Sequence, residues 1–113
     1  MLCQQFRLFV FMAVALVRLS VAAHFDCNDA AGIVTCIVKV GRESFGYSPD
    51  AEEPACTSDW VYCAQVTGNP GDSSWEISVT NGDKQCSADC PVQQNSQCDD
   101  TGFCWDTCVT NAC

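Results

Sequence analysis

Cysteine is the residue type here with the most chemistry to offer. The chain of 113 residues holds 11 cysteines. Two pairs, Cys86-x3-Cys90 and Cys104-x3-Cys108, have a spacing that could present thiolates to a metal. Structural zinc sites favour C-x2-C or C-x4-C steps and often add histidine. The only histidine is His24, far from both pairs. Disulfide chemistry fits better. Residues 1–23 read as a secretory leader, with Arg7, an apolar run from Leu8 to Val17, and Val21 and Ala23 at the −3 and −1 positions of a cut. A cut after Ala22 is the close alternative. The leader removes Cys3 and leaves an even set: Cys27, Cys36, Cys56, Cys63, Cys86, Cys90, Cys98, Cys104, Cys108 and Cys113. Five disulfides are expected, in an oxidising compartment. Ten cysteines allow roughly 945 pairings, and spacing alone does not choose among them.

Other chemistries are poorly served. A cut after Ala23 would make His24 the N-terminal residue, where amine and imidazole can chelate copper, but the second histidine of such a brace is missing. Nucleophilic relays need a histidine inside the fold. Glycoside hydrolysis needs two carboxylates at a set separation. The acidic groups here cluster instead in loop-like stretches, Asp50 with Glu52 and Glu53, and Asp99-Asp100. No calcium-loop pattern occurs. The expectation is a protein without catalytic activity, cofactor or metal.

Charge narrows the partners. Fourteen acidic residues stand against 5 basic ones, a net −9, which becomes −11 once Arg7 and Arg18 leave with the leader. Such a chain cannot neutralise phosphates, so nucleic acid is excluded. Anionic membranes would repel it, and no membrane insertion is expected. Aromatic residues are the remaining tools. Sugars stack on their faces, and protein interfaces anchor on them. Trp75 alternates with Ile77 and Val79 and is expected in the core. Trp60 and Tyr62 share a face with Ala64 and Val66, also expected inward. Trp105, Phe103 and Tyr47 are the candidate binding residues.

The positioning elements are legible in part. Ile33 to Val40 is β-branched and unbroken, suited to a buried central strand. Asp59 to Val66 is a second strand. Ser74 to Thr80 alternates cleanly and ends at Asn81-Gly82, a type I′ hairpin pair. Asn69-Pro70-Gly71 is a turn. A short strand is expected at Asp83–Cys86. Each C-x3-C pair puts two sulfurs one helical turn apart, so short helices are expected there, the first stopped by Pro91 and the second capped by Thr101. Val92 to Asp100 reads as loop. The expected fold is a small disulfide-rich α+β domain over residues 24–113. It has a three- to four-stranded antiparallel sheet and one or two short helices in its Cys-dense C-terminal part.

A short, acidic, secreted chain with ten cysteines resembles the small cysteine-rich effectors of plant-associated fungi. Phe25-Asp26-Cys27 is similar to the aromatic-x-Cys signature of powdery-mildew and rust candidate effectors, often paired with a late cysteine such as Cys113. The resemblance implies an extracellular, virulence-type protein, and a monomer is expected. It would bind a host or competitor protein, for example inhibiting a protease or suppressing recognition. The resemblance transfers no binding site; from the residues themselves, an exposed loop such as Ser48–Pro54 or Pro91–Asp100 could present the contact. A module for chitin or a glucan is the alternative, and a venom-like toxin a third reading.

Overall fold

The computed structural model describes residues 21–93 and 96–113, and there they form an all-β molecule. Nine strands follow one another: β1 (Val21–Asn28), β2 (Thr35–Val40), β3 (Glu43–Tyr47), β4 (Ala55–Cys56), β5 (Cys63–Thr67), β6 (Ser74–Asn81), β7 (Lys84–Pro91), β8 (Ser96–Cys98) and β9 (Cys104–Ala112). One sheet has the order β3-β2-β1-β9-β8, the other β4-β5-β6-β7, and all pairings are antiparallel. The chain meanders through one sheet, crosses at β3–β4, meanders through the other, and returns at β7–β8 so that β9 closes against β1. The result is a flattened barrel open along two seams, with β3 against β4 and β5 at one and β9 against β7 at the other.

The inward face of each strand supplies the core. Ala23, Phe25 and Cys27 come from β1, and Cys36, Val38 and Val40 from β2. The opposite sheet contributes Ala64, Val66, Trp75, Ile77 and Val79. Phe25 and Trp75 are the largest fully buried side chains, each contributing about 2–3 kcal/mol by leaving water. Ser74–Asn81 forms as its alternation predicts. The Ile33–Val40 run does not bury every residue. In β2 only alternate side chains point inward, and Ile37 is 49% exposed.

The expected helices are absent, and the α+β assignment is wrong. Cys86 and Cys90 lie on β7, Cys104 and Cys108 on β9. A spacing of four satisfies a period of two as well as one of 3.6, so the cysteines alone could not separate helix from strand. Trp105, Thr107 and Val109 alternate with Asp106, Cys108 and Thr110. That β-rich alternation decides the matter. Thr101 caps no helix but sits in the β8–β9 loop, and Pro91 ends a strand. The short strand expected at Asp83–Cys86 runs on to Pro91, and part of the Val92–Asp100 loop is β8.

Two turns carry identifiable chemistry. Asp72 N–H donates to Asn69 O at 3.2 Å with Pro70 second and Gly71 third at φ 89°, the pattern of a type II turn. In the β6–β7 hairpin Asn81 pairs with Lys84, so the loop residues are Gly82-Asp83, not Asn81-Gly82. Only Gly82 has a positive φ there, which fits type II′ rather than I′. Gly68 is a packing requirement. Its φ is 150°, and an added Cβ would lie 2.6 Å from Trp75 Cδ1. The indole cannot swing away, because it is buried and its Nε1–H donates to Asn69 O at 3.2 Å. Gly68→Ala should therefore lower the unfolding free energy by about 2 kcal/mol, read as a lower urea midpoint at unchanged m-value.

Residues 1–20 of the expected leader lie outside the described residues. Its last three, Val21–Ala23, are the first of β1, and Ala23 is fully buried between Val40 and Thr110.

Candidate functional site

All ten cysteines expected to pair do so. Cys27–Cys36, Cys56–Cys63 and Cys98–Cys104 join directly opposed residues of neighbouring strands, each with Cα atoms 4.0 Å apart. Cys86–Cys113 and Cys90–Cys108 instead cross between sheets. No thiol among them is left for nucleophilic or metal chemistry, and among the described residues no three His, Cys, Asp or Glu side chains converge as a metal site.

The outer face of the five-stranded sheet carries a cleft of about 550 Å³. Strand alternation builds it. Asp26 and Asn28 point outward from β1, Thr35, Ile37 and Lys39 from β2, and Trp105 from β9. Asp26 stands opposite Ile37, and Ile37 opposite Gly46 on β3. Gly46 keeps the floor open, because a Cβ there would meet nothing within 4 Å. Phe103 and Trp105 flank the cleft with ring centroids 6.3 Å apart and planes at 33°. Phe103 is 51% exposed.

Polar groups ring this apolar floor. Asp26 Oδ1 accepts from Thr107 Oγ1 at 2.9 Å, and its Oδ2 lies 3.9 Å from Lys39 Nζ. Asn28 Nδ2 donates to Cys104 O at 2.9 Å, while its Oδ1 accepts from Ala30 N–H at 3.2 Å. These bonds fix both side chains yet leave each with hydrogen-bonding capacity for a ligand. His24 lies further along the same face, between Lys39 and Val109.

Trp105, Phe103 and Tyr47 are thus brought to one cleft, but their roles differ. Tyr47 faces inward beside Cys36, and its hydroxyl donates to Val66 O at 2.9 Å across the seam. It closes a wall and is no free stacking platform. The Ser48–Pro54 loop lies away from this cleft, beside β4 and β5.

Sequence reasoning missed Trp60. It was expected inward with Tyr62, Ala64 and Val66, yet it leaves the strand and is 62% exposed. The signal was the spacing of Cys56 and Cys63, which closes six residues containing Thr57, Ser58 and Asp59 into a turn.

Two loops share one construction. Asp99 Oδ1 accepts from Thr101 Oγ1 at 2.6 Å, Thr101 N–H at 2.9 Å and Phe103 N–H at 3.0 Å. Asp59 Oδ1 accepts from Thr57 Oγ1 at 2.6 Å and Val61 N–H at 3.1 Å. The Thr101 hydroxyl, then the backbone N–H groups, hold Asp99 below the ordinary carboxylate value, against some desolvation. The Thr57 hydroxyl, then Val61 N–H, do the same for Asp59. A depressed folded pKa stabilises above the unfolded value of about 3.9 and is lost as pH falls through the folded one. Both loops should therefore keep their order at pH 5 and loosen below about pH 4. The protection factors of the Val61 and Phe103 amides, taken against the intrinsic exchange rate at each pH, should fall there while those of β6 stay high.

Comparison of the chain with protein-family models, with curated proteins and with solved structures gave no match, so the resemblance to fungal effectors rests on Phe25-Asp26-Cys27 and the cysteine pattern alone.

Proposed function

We propose that the chain is a secreted, disulfide-stabilised binding protein that works outside its producing cell without catalysis and holds an uncharged saccharide in the cleft. The Phe103–Trp105 pair carries this reading. Two aromatic rings stand beside an open floor, with a carboxylate and an amide already oriented at its edge. Sugar rings offer C–H faces for stacking and hydroxyls for Asp26 and Asn28. The net charge of −9 disfavours acidic polysaccharides such as pectins. Capture of a cell-wall fragment would suit an effector-type role in which the fragment is masked from recognition. A leader cut after Ala22 would suit the fold, since Ala23 stays in the core.

The test is depletion of oxidised protein from solution by insoluble chitin, cellulose and β-glucan, with reduced and alkylated protein as control. One polymer should deplete the folded protein alone. Gly46→Val sharpens the test. Position 46 has room for a side chain and an ordinary φ. The variant should gain up to about 1 kcal/mol, as valine suits a strand better than glycine, yet lose depletion because the side chain fills the cleft. Full depletion of Gly46→Val would remove the cleft as the site.

A further inference from the structure

The loop between Cys56 and Cys63 lies at the other end of the molecule from the Phe103–Trp105 pair. Ser58 N–H donates to Glu43 Oε1 at 2.9 Å, and Glu43 stands beside the start of β1 through Val40 and Ala23. Phe103 lies beyond the end of β1, where Asn28 meets Cys104. The loop is held from within. Thr57 is buried, donates its N–H to Tyr62 O at 2.9 Å and accepts Tyr62 N–H on Oγ1 at 3.2 Å. Trp60 N–H donates to Thr57 O at 2.9 Å. A cross-strand disulfide closes the base.

All of this rigidity supports one costly feature. Trp60 sits at φ 61°, a left-handed conformation that a bulky L-residue adopts rarely. Trp60 is 62% exposed, so packing within the molecule returns little for the strain. Val61 beside it is 39% exposed. Strain that persists without internal return marks a functional position.

We infer that this loop is a preformed anchor that inserts Trp60 into an apolar pocket on a basic extracellular protein. A protein pocket fits better than a sugar for a chemical reason. Trp60 and Val61 are adjacent exposed apolar side chains, no second aromatic ring among the described residues is paired with Trp60 to sandwich a sugar, and Asp59 Oδ1 is spent on Thr57 and Val61. The left-handed backbone at Trp60 also keeps the segment from lying extended, as a protease substrate must. The partner therefore takes the side chain end-on. Tryptophan is the commonest kind of interface anchor, and a loop ordered in advance loses little entropy on binding. Charge selects the partner's sign. Glu43, Asp59 and Asp83 outnumber Arg42 and Lys84 at this end, and the whole chain carries −9. Such a field steers basic partners in and holds acidic ones off.

The experiment uses the full oxidised protein with a photo-crosslinking benzoylphenylalanine at position 61, exposed to extracellular fluid. The same probe at Val109, 50% exposed on the outer face of the larger sheet, is the positional control. The expected result is one discrete adduct from position 61 whose partner is retained on a cation exchanger. Trp60→Ala should abolish it, and the purified partner should bind Trp60→Ala at least tenfold more weakly. Trp60→Gly separates side chain from backbone, since glycine accepts the φ without strain; it should fold with all five disulfides and still lose the adduct. No adduct, an acidic partner, equal labelling from Val109, or an adduct that survives Trp60→Ala would each overturn the inference. Because the two ends are separate, Trp105→Ala should leave the adduct unchanged, so failure here and failure of the saccharide reading are distinguishable.

Discussion

Replacing Cys90 and Cys108 together by alanine should lower the unfolding free energy by about 4 kcal/mol, the largest effect expected of any one disulfide. The bond joins residues 18 apart in sequence, and restricting a loop of about that length in the unfolded chain is worth about 3 kcal/mol. Both sulfurs are also buried, Cys90 completely, so their loss leaves small voids worth roughly 1 kcal/mol more. The bond's position matters as much as its length. It ties β7, the edge of the smaller sheet, to β9 in the larger one, at the seam where no strand pairing joins them. Removing Cys98 and Cys104 is the comparison. That bond joins residues only 6 apart in one hairpin and should cost only about 2 kcal/mol, with its effect confined to the Asp99–Phe103 loop. Guanidinium unfolding of both variants under non-reducing conditions checks the ordering. Equal midpoints would show that the crossing between sheets has no special weight.

Trp105→Ala should weaken saccharide binding about 30-fold, equivalent to about 2 kcal/mol at an interface anchor. The fold should tolerate it, because Trp105 points outward from β9 and the core does not include it. Phe103→Ala should cost less, since Phe103 is half-exposed and touches the cleft from a loop. Asp26→Asn distinguishes hydroxyl recognition from stacking. It keeps the shape and an acceptor for Thr107, but removes the charge facing Lys39. Its effect should be severalfold, smaller than that of Trp105→Ala. Isothermal titration with soluble oligomers of the depleting polymer supplies these ratios. An unchanged affinity for Trp105→Ala would exclude stacking as the source of binding.

The sequence was informative where one period dominated. Trp75, Ile77 and Val79 alternate with polar residues, and β6 follows from that pattern alone. The even cysteine count after residue 23 matched five bonds. Legibility failed where a pattern served two structures. The C-x3-C pairs suited a helix turn and a strand face equally, and the β-branched Thr107, Val109 and Thr110 that break the tie lie within and just after the second pair. Trp60 failed for another reason. Its alternation with Tyr62, Ala64 and Val66 is real, but Thr57 and Asp59 offer the backbone local bonds, so the strand begins at Cys63, four residues later than expected. The cleft was only half legible. Trp105, Phe103 and Tyr47 were found as chemistry, yet their gathering depends on β9 closing beside β1, a pairing between the two ends of the described chain. Nothing local in Asp26, Asn28, Ile37 or Gly46 announces that they share a face with Trp105.

The most direct test of the cleft is a two-dimensional amide NMR titration of oxidised, isotope-labelled protein with the tetrasaccharide of the polymer that depletes it. The structure predicts saturable shifts centred on Ile37, Gly46, Phe103 and the Trp105 indole, with the Trp60 indole unmoved. Shifts centred away from that face, or none with any of the three saccharides, would contradict it.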